Sequence, residues 1–181
     1  SRVVTITSLT DNGGADANND NTAELSITSS VAVISVNDAP DLSATVSGTF
    51  TEGDGAPLQF LTAVSLPTDV DADHFNGGSL TVALGGSFHT GDTLQVVSGV
   101  NNITVSGATV SYNSNPIGTA SYNNATGTLI ISFTSINAIP GAVQALAQQI
   151  GYSSTSENPT WAGDAKTRSV TVTLNDGGND G

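Results

Sequence analysis

Short runs in which apolar and polar residues alternate, each closed by Gly, Asn, Asp or Ser, recur along the whole chain, as in Ser79-Leu-Thr-Val-Ala-Leu and Ser169-Val-Thr-Val-Thr-Leu. A period of two puts successive side chains on opposite faces of an extended backbone, so these runs read as half-buried strands. Strands are expected at 3–9, 23–36, 42–51, 58–64, 79–84, 93–97, 103–105, 109–112, 128–133, 150–153 and 169–174. Their even spacing implies a sandwich or a barrel. Composition points the same way: Ser and Thr fill 46 of 181 positions, while Lys and Arg together fill 3 and Met is absent, so β-branched and turn residues stand where helix formers would be. One segment departs from the pattern. Ile139, Val143, Leu146, Ala147 and Ile150 fall at helical spacing, Pro140 suits a first turn and Gly151 a stop, which predicts a short helix over about 138–150, packed on the sheets by a core-facing stripe. The expected fold class is therefore all-β, an antiparallel sandwich with one short inserted helix.

Charge removes several functions. Sixteen acidic residues face three basic ones, giving a formal charge of −13, and no Lys or Arg occurs between Arg2 and Lys166. Binding nucleic acid through phosphates, or an anionic membrane surface directly, needs clustered Lys and Arg. With no cysteine there is no disulfide, no thiolate nucleophile and no sulfur-built metal site. No stretch approaches the roughly 20 apolar residues of a membrane-spanning helix, and no signal peptide opens the chain.

A partial internal repeat organises the sequence. Arg2-Val-Val-Thr-Ile-Thr followed by Asp11-Asn-Gly-Gly is echoed by Arg168-Ser-Val-Thr-Val-Thr followed by Asp176-Gly-Gly, at offsets of 166 and 165 residues. The expectation is a tandem array with a period near 166, sampled out of phase. Residues 1–36 are then the closing hairpin of a preceding repeat or a pair of donated strands, 37–41 a linker, and 42–181 a repeat lacking its final strand. An edge left open at 168–174 makes strand exchange between copies a further expected interaction.

Five acidic clusters stand at turns or strand ends: Asp11/Asp16/Asp20, Asn37-Asp38 with Asp41, Glu52 with Asp54, Asp69-Val-Asp71-Ala-Asp73, and Asp176 with Asp180. Calcium takes six to eight oxygen ligands, which such turns supply. Asp11, Asp16, Asp20, Asp92 and Asp164 read instead as ordinary turn and solubility residues. For Glu52, Asp69 and Asp71 a metal is the better reading, because carboxylates that converge without a cation repel one another. The Asp69-x-Asp71-x-Asp73 run is not an EF-hand: the sixth and twelfth positions are His74 and Leu80, where Gly and Glu are required. Nor does Gly13-Gly14-Ala15-Asp16 fit the Ca²⁺-binding nonapeptide spacing.

Taken together, these residues resemble cadherin-like repeats of the large bacterial surface adhesins exported as RTX-type proteins. Val36-Asn37-Asp38-Ala39-Pro40 is similar to the linker of such repeats, Glu52 to the Glu that ends their first strand, Asp69-Val70-Asp71 to their acidic Asp-x-Asp, and the run at 168–178 to their closing hairpin. Two departures are a period longer than an ordinary cadherin unit and a linker less acidic than usual. The resemblance implies an Ig/cadherin-like sandwich in an extracellular or cell-surface location. It implies Ca²⁺ held by Glu52, Asp69 and Asp71, with Asn37 or Asp38 from the linker and Asp73 at the margin. Its implied role is non-catalytic: spacing and adhesion, biofilm adhesion included, with neighbouring repeats and cell-surface molecules such as glycans as partners.

Two other classes compete. A carbohydrate-binding sandwich would use Trp161, in the loop at 158–163, as a sugar-stacking platform, although the same residue reads more readily as a loop anchor closing the end of the core. An enzyme would have to work with His74 and His89 alone as neutral-pH acid or base, and no nucleophile elbow, zinc helix or phosphate loop accompanies them.

Overall fold

A computed structural model of the chain describes residues 2–7, 9–10, 22–23, 27–32, 36–85, 88–158 and 167–178. Two compact units divide it, Ser1–Val36 and Asn37–Gly181. In the first, β1 (Arg2–Ile6) and β4 (Ile27–Val31) pair antiparallel with Arg2 opposite Val31 and Ile6 opposite Ile27, and β2 (Leu9–Thr10) pairs with β3 (Thr22–Ala23). This is a two-stranded ribbon, a form that is marginally stable by itself in water.

The second unit is an all-β, sandwich-like fold with antiparallel sheets and one short helix. Its short early strands are β5 (Thr45–Val46), β6 (Leu58–Gln59) and β7 (Leu61–Thr62). Then come β8 (Ser79–Leu84), β9 (Asp92–Val96), β10 (Ile103–Ser106), β11 (Thr109–Tyr112), β12 (Asn115–Asn123) and β13 (Thr128–Phe133). The helix α1 (Pro140–Ala147) leads to β14 (Ile150–Ser154) and β15 (Val170–Asn175). One sheet has six strands in the order β10-β11-β12-β13-β8-β15; another has three, β6-β14-β9. Their facing residues form one core. Leu80, Val82 and Leu84 of β8 with Leu129, Ile131 and Phe133 of β13 join Phe60, Leu94, Ile150 and Tyr152. Burial of such side chains is worth about 1.5–3 kcal/mol each, which is what holds the layers together.

The strictly alternating runs fold where expected: β8, β11 and β13 have the expected bounds. The helix is shorter than its apolar spacing suggests. Pro140 starts it, Ala142, Val143, Leu146 and Ala147 are buried, and Ile139 caps it from outside the helix, 45% exposed. Gly151 does not stop the helix. It lies inside β14, where a Cβ would come within 2.8 Å of both Pro57 and Val97, so glycine is required for the close approach of β6 and β9. The nine-residue β12 is an addition to the expected strands. Asn115, Pro116 and Gly118 disguise it as a turn, yet it is internal to the large sheet, and a Cβ at Gly118 would meet the Ser132 carbonyl at 2.2 Å.

The strand expected at 42–51 is ladder-bonded only at β5. The segment nonetheless runs beside residues 60–68, tied by Ser47 N–H to the Phe60 carbonyl (2.9 Å) and Ser65 N–H to the Ser43 carbonyl (2.8 Å), and anchored by an edge-on contact of Phe50 with Tyr152.

Candidate metal centre

Three pieces of backbone meet where the linker enters the second unit. Asp41 and Thr68 exchange N–H to carbonyl bonds at 2.8 and 3.1 Å, which lays residues 37–41 beside the loop that carries Asp69. In that loop Asp69 Oδ1 accepts the N–H groups of Asp71 (2.8 Å) and Ala72 (3.2 Å), the local turn that short carboxylates favour. The third piece follows β15. Asn175 Oδ1 accepts Gly177 N–H and Asp176 Oδ1 accepts Gly178 N–H, both at 2.9 Å. Gly177 has φ +82, and a Cβ there would lie 2.5 Å from the Gly77 carbonyl carbon, so glycine lets this turn back onto the loop.

Side chains join the three. The Asn37 amide donates to Asp176 Oδ2 at 3.0 Å, and Asp38 N–H donates to Asp71 Oδ2 at 2.6 Å. Asp176 is 2% exposed. The Gly178 N–H is the main influence holding its carboxyl below the usual range; burial opposes it, and Asn37 and the neighbouring Asp69 add to the lowering. Asp69 Oδ2 is buried and has no hydrogen-bond donor. Asn37, Asp38, Asp69 and Asp71 are thus brought to one end of the unit with Asp176, which the sequence presents only as part of a turn. Burial next to a second acidic loop is what singles Asp176 out, and no local motif encodes that.

Two further expected ligands have no bond to this group among the described residues. Glu52 is exposed on the turn at 51–54, which is closed by Thr51 N–H on Asp54 Oδ2, and no hydrogen bond among the described residues ties it to Asp69 or Asp71. The Asp73 side chain is 98% exposed, 3.9 Å from His74 Nε2. Among the described residues, no three acidic or histidine side chains gather round one point as they stand. The donors are hard oxygens, and the orphaned Asp69 oxygen fits a cation better than a second carboxylate, so the set suits Ca²⁺. Trp161, Asp11, Asp16, Asp20, Asp164 and Asp180 lie outside the described residues.

Asp92 requires a correction. It is no surface turn residue, for its side chain is fully buried and paired with Arg168 Nε at 2.8 Å. It also accepts His89 N–H at 2.9 Å and the Tyr152 hydroxyl at 2.7 Å. Burial alone would raise its carboxyl, but the His89 N–H, Arg168, Tyr152 and Ser154 outweigh burial and leave it lowered. Tyr152 is pushed up to about 12 by burial and by Asp92. These bonds tie the start of β9 to β14 and to the approach of β15. Comparison with protein-family models, with curated proteins and with solved structures finds no match.

Proposed function

We propose that this chain is a non-catalytic, calcium-binding structural and adhesive repeat of a large bacterial extracellular or cell-surface adhesin, in which Ca²⁺ stiffens the linker between repeats. The observation that carries this reading is the buried, donor-less Asp69 Oδ2 beside Asp176. A buried carboxylate oxygen without a donor is costly. A divalent cation would relieve the Asp69 oxygen, and Arg168 is engaged by Asp92. Asp69, Asp71 and Asp176 would hold the ion with oxygens of Asn37 and Asp38; Glu52 and Asp73 are outer candidates. Since Asn37 and Asp38 belong to the linker, an ion held there orders the linker as well as the loop.

Calorimetric titration tests this reading. Wild-type protein is expected to take up Ca²⁺ saturably, with Kd at or below about 10⁻³ M, the range of extracellular modules. Asp69→Asn should weaken uptake at least tenfold and Asp73→Asn should leave it nearly unchanged. Absence of saturable uptake by the wild type, or equal uptake by Asp69→Asn, refutes the reading.

A further inference from the structure

Two of the chain's 16 asparagines head an Asn-x-Thr run, Asn102-Ile-Thr104 and Asn124-Ala-Thr126, while Asn158-Pro-Thr160 is barred by its proline. Such a run is the acceptor signal for a sugar linked to asparagine, and a transferase has to reach it from outside. The folded chain presents its two copies differently.

Asn124, Ala125 and Thr126 are all exposed, in the turn between β12 and β13. Asn123 holds that turn: its Oδ1 accepts Ala125 N–H at 2.9 Å and its carbonyl accepts Thr126 N–H at 3.3 Å. The Asn124 carboxamide and the Thr126 hydroxyl take no part in it and have no hydrogen bond among the described residues. Both groups of the acceptor signal are therefore available without a bond being broken.

At Asn102 the signal is half closed. Asn102 and Thr104 are exposed, but Ile103 between them is fully buried. Ile103 N–H donates to the Val100 carbonyl at 2.9 Å, its carbonyl accepts Gly99 N–H at 2.8 Å, and the Asn102 carbonyl accepts Asn113 N–H at 3.1 Å. Drawing this segment into an enzyme cleft would pull a core side chain into water and open the start of β10.

We propose that Asn124 is an N-glycosylation site of the folded chain, taking a sugar from a diphosphate-activated donor, and that Asn102 is not used. In the transfer Asn124 Nδ2 bonds to the anomeric carbon and the bond from that carbon to the phosphate oxygen breaks. The diphosphate leaves with the electron pair, and one amide proton passes to a base of the transferase. A carboxamide nitrogen is a poor nucleophile, its lone pair being delocalised into the carbonyl, so the transferase supplies the activation and the chain supplies the access. The ladders put Asn123 in line with Thr128, Ala83 and Thr171 at one end of the large sheet, and Asn175 in line with Ser79 and Ser132 at the other. A sugar on Asn124 thus stands at the end of the sheet opposite Asp176 and leaves the linker clear.

Peptide mapping by mass spectrometry, on the full chain isolated from the cells that produce it, reads the site directly. Asn124 should carry the mass of at least one sugar, with occupancy at Asn102 several-fold lower. A single sugar assigns a nucleotide-activated donor and a preassembled oligosaccharide a lipid-linked one; either supports the proposal. Thr126→Ala should cut the occupancy of Asn124 several-fold and Thr126→Ser should preserve it. Acceptance by the fold is tested on unmodified full-length chain with a soluble asparagine glucosyltransferase and UDP-glucose. Label should enter Asn124 several-fold faster than Asn102, whereas synthetic peptides of residues 99–107 and 121–129 should be labelled at comparable rates. A native chain bare at Asn124, equal labelling of the two sites in the folded chain, a 99–107 peptide as slow as the folded chain, or occupancy that survives Thr126→Ala would each overturn the proposal. None of these readouts depends on calcium, so they stand or fall separately from the metal centre.

Discussion

Arg168 reaches from the approach to β15 to a carboxylate at the start of β9, so one ion pair bridges the two main sheets of the second unit. Replacing Arg168 with Ala leaves the Asp92 charge buried without its partner, and breaking a buried pair in this way costs about 3–5 kcal/mol. Urea unfolding at neutral pH should show that loss. Because the folded Asp92 carboxyl is lowered, its stabilisation is present above the ordinary carboxylate range and is lost as pH falls through the folded value. Arg168→Ala should therefore unfold at a higher pH on acidification than the wild type does. Tyr152 has the opposite sign. Its folded value of about 12 lies above the ordinary 10, so its contribution is complete below pH 10 and declines toward pH 12. That alkaline loss is on the order of 2–3 kcal/mol, and Tyr152→Phe should flatten it. Little of this cluster is legible in the sequence. Tyr122, Tyr152 and Arg168 stand 30, 60 and 76 positions from Asp92, and an Asp after a Gly looks like any other turn residue.

At the scale of elements, legibility follows period and length. Strands β8, β11 and β13 carry apolar residues at the spacing a half-buried strand needs, so their bounds can be read directly. β12 hides because its requirement is for space: Gly118 is there to let the Ser132 carbonyl pass, and Pro116 lies next to a register shift in the β11 ladder. Gly118→Ala should destabilise the second unit by about 1–3 kcal/mol, since the clash is with backbone and cannot relax by a rotamer change. An unchanged denaturant midpoint would show that β12 is not held as closely as these distances state. The helix was half legible. Its buried stripe is plain in Val143, Leu146 and Ala147, while Ile139 and Ile150 belong to the flanking cap and strand, where periodicity alone cannot separate them.

Over the whole molecule, the poverty in helix formers bounds the fold class well, because a chain so rich in β-branched and turn residues has few alternatives to stacked sheets. The candidate site is legible in part. The linker pair Asn37-Asp38 and the loop carboxylates Asp69 and Asp71 lie in the order the resemblance requires, and hydrogen bonds bring them to one end of the unit. Asp176 is not legible there, because it lies 139 positions from Asn37 and only the return of β15 delivers it. If this end holds a cation as proposed, its stability depends on that cation. A ligand present at about 100 times its Kd stabilises the folded state by about 2.7 kcal/mol, which for a unit of this size is roughly 5–10 °C in Tm. The most direct test is a pair of thermal melts of the full chain at matched ionic strength, one in millimolar Ca²⁺ and one in EDTA. A calcium-dependent rise of that size, absent in Asp69→Asn, is the predicted result; superimposable melts would contradict a calcium-stiffened repeat.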